Sequence, residues 1–228
     1  VPVSVRTATG YVAQTVRLRG ATTPFRIAVD AEPLLLELDP EFDVFRLLDP
    51  RETAPSIGQV FGDTEVLAVL PARAGAAERQ VYHDMLARWV SPAQKVEVSL
   101  DSDVDELPAD RAVWVFGREN RYGGPLLKAA SAVEPALARD DASVTFVQRH
   151  PGNPAKAVGF VAFGSAAAAP GLAGKLPHYG KYSYLVFEGD DAKNTIKGEW
   201  SADDWPLRVD GRGNGRPRLA RPGHAARG

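Results

Sequence analysis

The hydrophobic period of this chain changes near residue 62, and that change restricts the fold more than any other feature. Before it, apolar residues recur at every second position. Val3, Val5 and Thr7 alternate with Ser4 and Arg6, and Tyr11–Leu18 alternates in the same way. Phe25, Ile27 and Val29 share a face opposite Arg26 and Ala28, and Leu34, Leu36 and Leu38 continue the pattern. A period of two puts successive side chains on opposite faces of a strand. Turn signals at Thr9-Gly10, Gly20 and Asp30–Pro33 separate these runs. Short strands so spaced predict a small antiparallel, β-sandwich-like unit over residues 1–48.

Asp49-Pro50-Arg51-Glu52 reads as a capped helix start that Pro55 interrupts, and Ser56–Phe61 reads as one more helical turn. We expect a linker over 49–62. From Thr64, strands and helices alternate. Thr64–Leu70, Lys95–Leu100, Arg111–Phe116, Ser143–Val147, Val158–Phe163 and Tyr182–Phe187 read as strands, several continuously apolar as in a buried parallel sheet. Ala76–Val90, with Val81, Met85 and Trp89 recurring every fourth residue, reads as a helix, as do Pro125–Leu137 and Ala166–Lys175. Asn194–Trp200 reads as an edge strand. The fold class is therefore α/β: a Rossmann-like, mostly parallel sheet with helices on both faces over 63–207. Residues 208–228 are Gly, Pro and Arg with almost no apolar content, which predicts a disordered basic tail.

Composition excludes several function classes. The formal net charge is −2, so no global field draws nucleic acid. No run of about 18 apolar residues is present to span a bilayer. Cysteine is absent, which removes disulfides, zinc–thiolate sites and cysteine nucleophiles. That fits the periplasm or the cytoplasm equally. The sequence starts at Val1 with neither an initiator Met nor a signal peptide, so a processed chain or an excised fragment is expected, the fragment being preferred.

Ligands of open α/β sheets bind beyond the carboxyl ends of the strands. The segments read as reaching that edge are Pro71–Arg73, Gly117–Asn120, Gly164-Ser165 and Gly189–Asp191. Gly117–Gly124 (GRENRYGG) follows a strand and opens a helix, but matches neither GxGxxG nor the P-loop. It reads as an anion site or as a structural strand-to-helix turn. Gly171–Lys175 (GLAGK) has the wrong spacing and context for a phosphate loop. Asp101, Asp103 and Asp105 begin like a calcium loop but lack its glycine and its distal Glu.

Of the four His, none lies in HExxH and no pair has metal spacing. His178 stands among Tyr179, Tyr182, Tyr184, Phe187 and Trp200, with Lys181, Lys193 and Lys197 around them. This is the densest group of chemically able side chains in the chain. It reads either as core aromatics or as a partner-docking patch. A triad of Ser165, His178 and Asp190 can be written, but no spacing demands it, and Ser165 reads more simply as an N-cap. The candidate ligand-binding residues are Asn120, Ser165, His178, Tyr179 and Tyr182; no cofactor or metal is called for.

Two segments carry a resemblance. ELDPEFDVFRLLDPRETAPSIGQVF (Glu37–Phe61) and KLPHYGKYSYLVFEGDDAKNTIKGEW (Lys175–Trp200) resemble the C-terminal ancillary region of bacterial exported proteins similar to zinc aminopeptidases of the gluzincin type. Some such proteins carry a gluzincin-like catalytic part, then a β domain and an α/β domain. The resemblance covers most of residues 1–207. HExxH and its downstream Glu are missing here, so no metallopeptidase residue carries over. The resemblance implies a non-catalytic part of a larger exported, periplasmic protein, with an upstream catalytic domain or a peptide as partner. The reading that competes with it is a hydrolase or small-ligand enzyme with its site at the carboxyl ends of the α/β strands.

Overall fold

The computed structural model describes residues 1–202 and 205–211. The chain divides into two compact units, Val1–Thr53 together with the segment from Ala202, and Ala54–Ser201.

The first unit is a four-stranded antiparallel sheet of β1 (Pro2–Thr7), β2 (Tyr11–Thr15), β3 (Pro33–Leu38) and a strand from far along the chain, β11 (Arg208–Asp210), in the order β11-β3-β1-β2. Register puts Val3 and Val5 beside Leu38 and Leu36, and both valines are buried. The opposite face carries Ser4, Arg6, Glu37 and Arg208, with Arg6 and Arg208 at 4.0 and 3.9 Å from Glu37. Phe25–Val29 alternates as a strand should, yet it has no regular structure. Its apolar side chains instead line a hollow together with Val5, Leu36 and Val209, covering the sheet without joining it. Arg208–Asp210, which composition gives to the tail, pairs with β3 because that edge offers it backbone partners. The remainder of the expected tail, 212–228, lies outside the described residues.

After β3 the chain turns through Asp39 and Phe42, both in the left-handed region (φ 56° and 57°). The Arg46 guanidinium then joins two carboxylates. Its Nε donates to Asp39 Oδ2 at 2.8 Å, and its two Nη atoms donate to Glu52 at 2.8 and 2.6 Å. Glu52 also accepts the Asp49 amide, and Asp49 accepts the Arg51 amide, a reciprocal cap on a short 3-10 turn at Pro50–Glu52. The expected linker is thus built into the units: Glu52 is buried in this network, while Ile57 and Val60 are fully buried in the core of the second unit.

The second unit runs α1 (Ile57–Phe61), β4 (Glu65–Leu70), α2 (Ala76–Trp89), β5 (Lys95–Leu100), β6 (Ala112–Phe116), α3 (Gly123–Ser131), β7 (Ser143–His150), β8 (Asn153–Ala162), α4 (Ala169–Lys175), β9 (Tyr184–Glu188) and β10 (Lys193–Gly198). Its seven strands lie in the order β10-β9-β7-β8-β6-β4-β5. β5, β4, β6 and β8 are parallel neighbours, while β7 is antiparallel to β8 and β9, and β10 to β9. The sheet is therefore mixed, not mostly parallel. The reason is local: β7 and β8 are joined through Pro151-Gly152, and β9 and β10 through Gly189–Ala192. Links that short only allow strands to reverse, whereas a parallel pair needs a crossover of a dozen residues or more.

Alternate strand residues supply two buried clusters. Val66, Ala68, Leu70, Trp114 and Phe116 pack with Ile57, Tyr82, Met85, Trp89 and Leu172 from α1, α2 and α4. Leu67, Val69, Val113 and Val115 pack with Ala130 of α3, Leu137, Phe146 and Phe160. Among the described residues no helix is long and apolar enough to cross a membrane.

Candidate functional site

Strand direction decides which loops can meet. β4, β5, β6 and β8 run the same way, and β9, antiparallel to β7, runs with them. The segments after β4, β5, β6, β8 and β9 therefore share the carboxyl edge. They carry Pro71–Gly75, Asp101, Gly117–Tyr122, Gly164-Ser165 and Gly189–Asp191. α4 then returns the chain to the amino edge, and the 3-10 turn Leu176–Tyr179 and Tyr182 lie there, just before β9. The placement is fixed by two backbone bonds from the start of α1, Ile57 N to Tyr182 O at 2.9 Å and Gly58 N to Gly180 O at 2.7 Å.

The five candidate residues consequently do not form one site. Asn120 and Ser165 stand at the carboxyl edge, and His178, Tyr179 and Tyr182 at the amino edge. Ser165 Oγ donates to Asp190 Oδ1 at 2.6 Å and makes no cap bond to its own helix. The carboxylate of the written triad is thus met and its imidazole is at the far end of the sheet. His178 is exposed on its turn. Tyr179 and Tyr182 are half-buried, their rings 5.9 Å apart, with Tyr179 edge-on to Phe187 at 5.7 Å. Lys181 and Lys197 lie over the Tyr182 ring at 5.0 and 5.4 Å. The strand read as Tyr182–Phe187 begins only at Tyr184, so Tyr182 lies outside β9. Tyr184 packs with Trp200 at 4.4 Å, against the other core cluster.

At the carboxyl edge most polar groups are spent on the backbone. Asn120, 2% exposed, donates from Nδ2 to Val69 O and Phe116 O at 3.0 and 3.2 Å and accepts the Tyr122 amide at 3.1 Å. Asp101, also buried, accepts the Ala72 and Arg121 amides at 2.8 and 2.7 Å. That ties the loops after β4 and β6 together. The Gly117 and Gly123 amides donate to Val161 O and Asn120 O, so these two are not offered to an anion. Gly117 is required there: φ is 84°, and a Cβ would stand 2.8 Å from Pro71 Cγ. His150 is bonded on both ring nitrogens, Nε2 with Leu107 O of the β5–β6 connection and Nδ1 accepting the Gly152 amide of its own turn. His224 lies outside the described residues.

One group at this edge was not singled out by sequence. Glu78, in the first turn of α2, stands beside Tyr82 one turn on. The buried Tyr82 ring stacks on Phe163 at 4.6 Å. Burial, and then the charge of Glu119, push the Glu78 carboxyl above its ordinary value. Burial together with Glu78 and Glu119 pushes the Tyr82 phenol far up. The i, i+4 spacing of Glu78 and Tyr82 was the available signal; the approach of Glu119 was not visible. Among the described residues no group of three or more His, Cys, Asp or Glu is placed to hold a metal ion.

A raised carboxyl binds its proton more tightly in the folded state. Its contribution is therefore full below the ordinary Glu value and is lost as pH rises through the folded value. Glu78→Gln is expected to raise the melting temperature at pH 8 more than at pH 5. An equal shift at both values would deny the strained proton site.

No protein-family model matches the chain, and no curated protein matches it.

Proposed function

We propose that this chain is a non-catalytic accessory region of an exported, peptidase-like protein, its second unit Rossmann-like over the parallel strands. The observation that carries the reading is the division of the able side chains between opposite edges of the sheet. Ser165 and Asp190 bond one another at the carboxyl edge while His178 stands at the amino edge, and Asn120 and Asp101 act as staples. The division of core residues between the α1, α2, α4 cluster and the α3 cluster supports the Rossmann-like description. Export and the peptidase-like parent rest on the resemblance of Glu37–Phe61 and Lys175–Trp200.

The competing reading, a hydrolase acting at the carboxyl edge, draws on the short Ser165–Asp190 contact. A serine held by a carboxylate without an imidazole lacks the usual proton acceptor. A fluorophosphonate probe tests both. The accessory reading expects no labelling of the chain and no turnover of aminoacyl or ester chromogenic substrates. Labelling that disappears in Ser165→Ala would overturn it.

A further inference from the structure

We propose that β2 is a self-pairing edge, and that two copies of this chain join antiparallel along Tyr11–Thr15, fusing their four-stranded sheets into one. The hydrogen bonds of β1 fix which backbone groups of β2 are free. Val16 N donates to Val1 O at 2.9 Å, the Val1 amine donates to Val16 O at 2.6 Å, and Thr7 N donates to Gly10 O at 2.7 Å. In the β1–β2 register, Val3 faces Gln14 and Val5 faces Val12. Pairs that exchange bonds alternate with pairs that do not. Val12 and Gln14 therefore turn their N–H and C=O toward β1, and Tyr11, Ala13 and Thr15 turn theirs outward. β2 is the outermost strand of its sheet and all its residues are exposed.

Exposed edges are normally blunted by charge, proline, a bulge or shortness. β10 carries Lys193, Lys197 and a register break between Asn194 and Ile196. β5 carries Lys95 and Glu97, and β11 is three residues long with Arg208 and Asp210. β2 reads YVAQT, with no charge, no proline and no bulge.

A second copy is the occupant because β2 is complementary to itself. A two-fold axis at Ala13 sets Ala13 opposite the partner's Ala13 and Tyr11 opposite the partner's Thr15. Every outward residue then lies in a pair that exchanges two backbone bonds. Val12 faces the partner's Gln14 in the closer pairs between them. No like charges meet, and the aromatic–Thr pairs are of a favourable kind. Moving the axis to Val12 or Gln14 leaves outward groups unpaired.

The test is sedimentation equilibrium of the full chain beside Ala13→Pro and Ala13→Lys. Proline removes only the outward N–H of Ala13, so no bond to β1 is lost; lysine sets two like charges at the axis. Dimer in the parent and monomer in both variants, with unchanged far-ultraviolet circular dichroism, is the expected result. A parent that stays monomeric to about 1 mM, or a dimer that survives both variants, would overturn the proposal.

Discussion

Arg46→Met is expected to destabilise the antiparallel unit by about 3–5 kcal/mol, most of what a unit of this size has to lose. The Asp39 side chain is fully buried and that of Glu52 nearly so, and both face one guanidinium at 2.6–2.8 Å. Methionine keeps the bulk of the side chain and leaves two buried carboxylates uncompensated. Burial alone would push Asp39 up, but the Arg46 guanidinium and the Val44 amide outweigh it and hold the carboxyl below its ordinary value. For Glu52 the bond from Arg46 exceeds burial and acts in the same direction. Depressed carboxyls stabilise the fold above their ordinary values, and that stability goes as pH falls through the folded ones. In the variant that acid sensitivity goes: burial now raises the two carboxyls, protonation relieves them, and the loss relative to the parent is largest at neutral pH and shrinks in acid. Hydrogen exchange of the β1 and β3 amides at pH 7 checks the main effect: protection is expected to fall by at least about a hundredfold. Unchanged protection would mean that the network does not hold the unit together.

That network occupies the very segment, LDPEFDVFRLLDPRE, on which half of the family resemblance rests. The sequence displayed its turns and its helix cap. It did not display that Arg46 reaches back to Asp39 and forward to Glu52, because pairing among several acids and arginines is decided by the fold. The strands and helices of the second unit were legible wherever a period of two or four ran for a full element. Strand direction was misread as mostly parallel, although His150-Pro151-Gly152-Asn153 is a turn and a strand directly after it has to run back. The same alternation of edges would have separated His178 from Ser165, since one precedes a strand and the other follows one. Phe25–Val29 misled because alternation reports a two-faced segment and not a hydrogen-bonded partner. β11 was hidden because three residues in a polar context carry no period.

Gly159→Val is expected to cost about 3 kcal/mol, the upper end for overpacking, although valine is by preference the better strand residue by about 1 kcal/mol. Packing decides the sign. Gly159 on β8 is the direct neighbour of Trp114 on β6, and a Cβ there would stand 2.4 Å from two carbons of the indole. The indole has nowhere to move. It is 2% exposed and lies 5.4 Å from Phe61, 5.3 Å from Trp89 and 6.3 Å from Phe116, ring centre to ring centre. Trp89 is itself pinned through its Nε1–H to Ala173 O at 2.9 Å, which ties α2 to α4. Valine therefore presses on a contiguous aromatic cluster spanning α1, α2 and the sheet. Trp114→Leu alone opens a cavity and is expected to cost about 2 kcal/mol or more. Combined, the two changes relieve one another, because the valine methyls enter the space that the indole leaves. Urea unfolding of the parent, both single variants and the double variant closes the cycle. A coupling of about 1–3 kcal/mol is expected. Strict additivity would mean that glycine is present at position 159 for a reason other than the flat seat it gives Trp114.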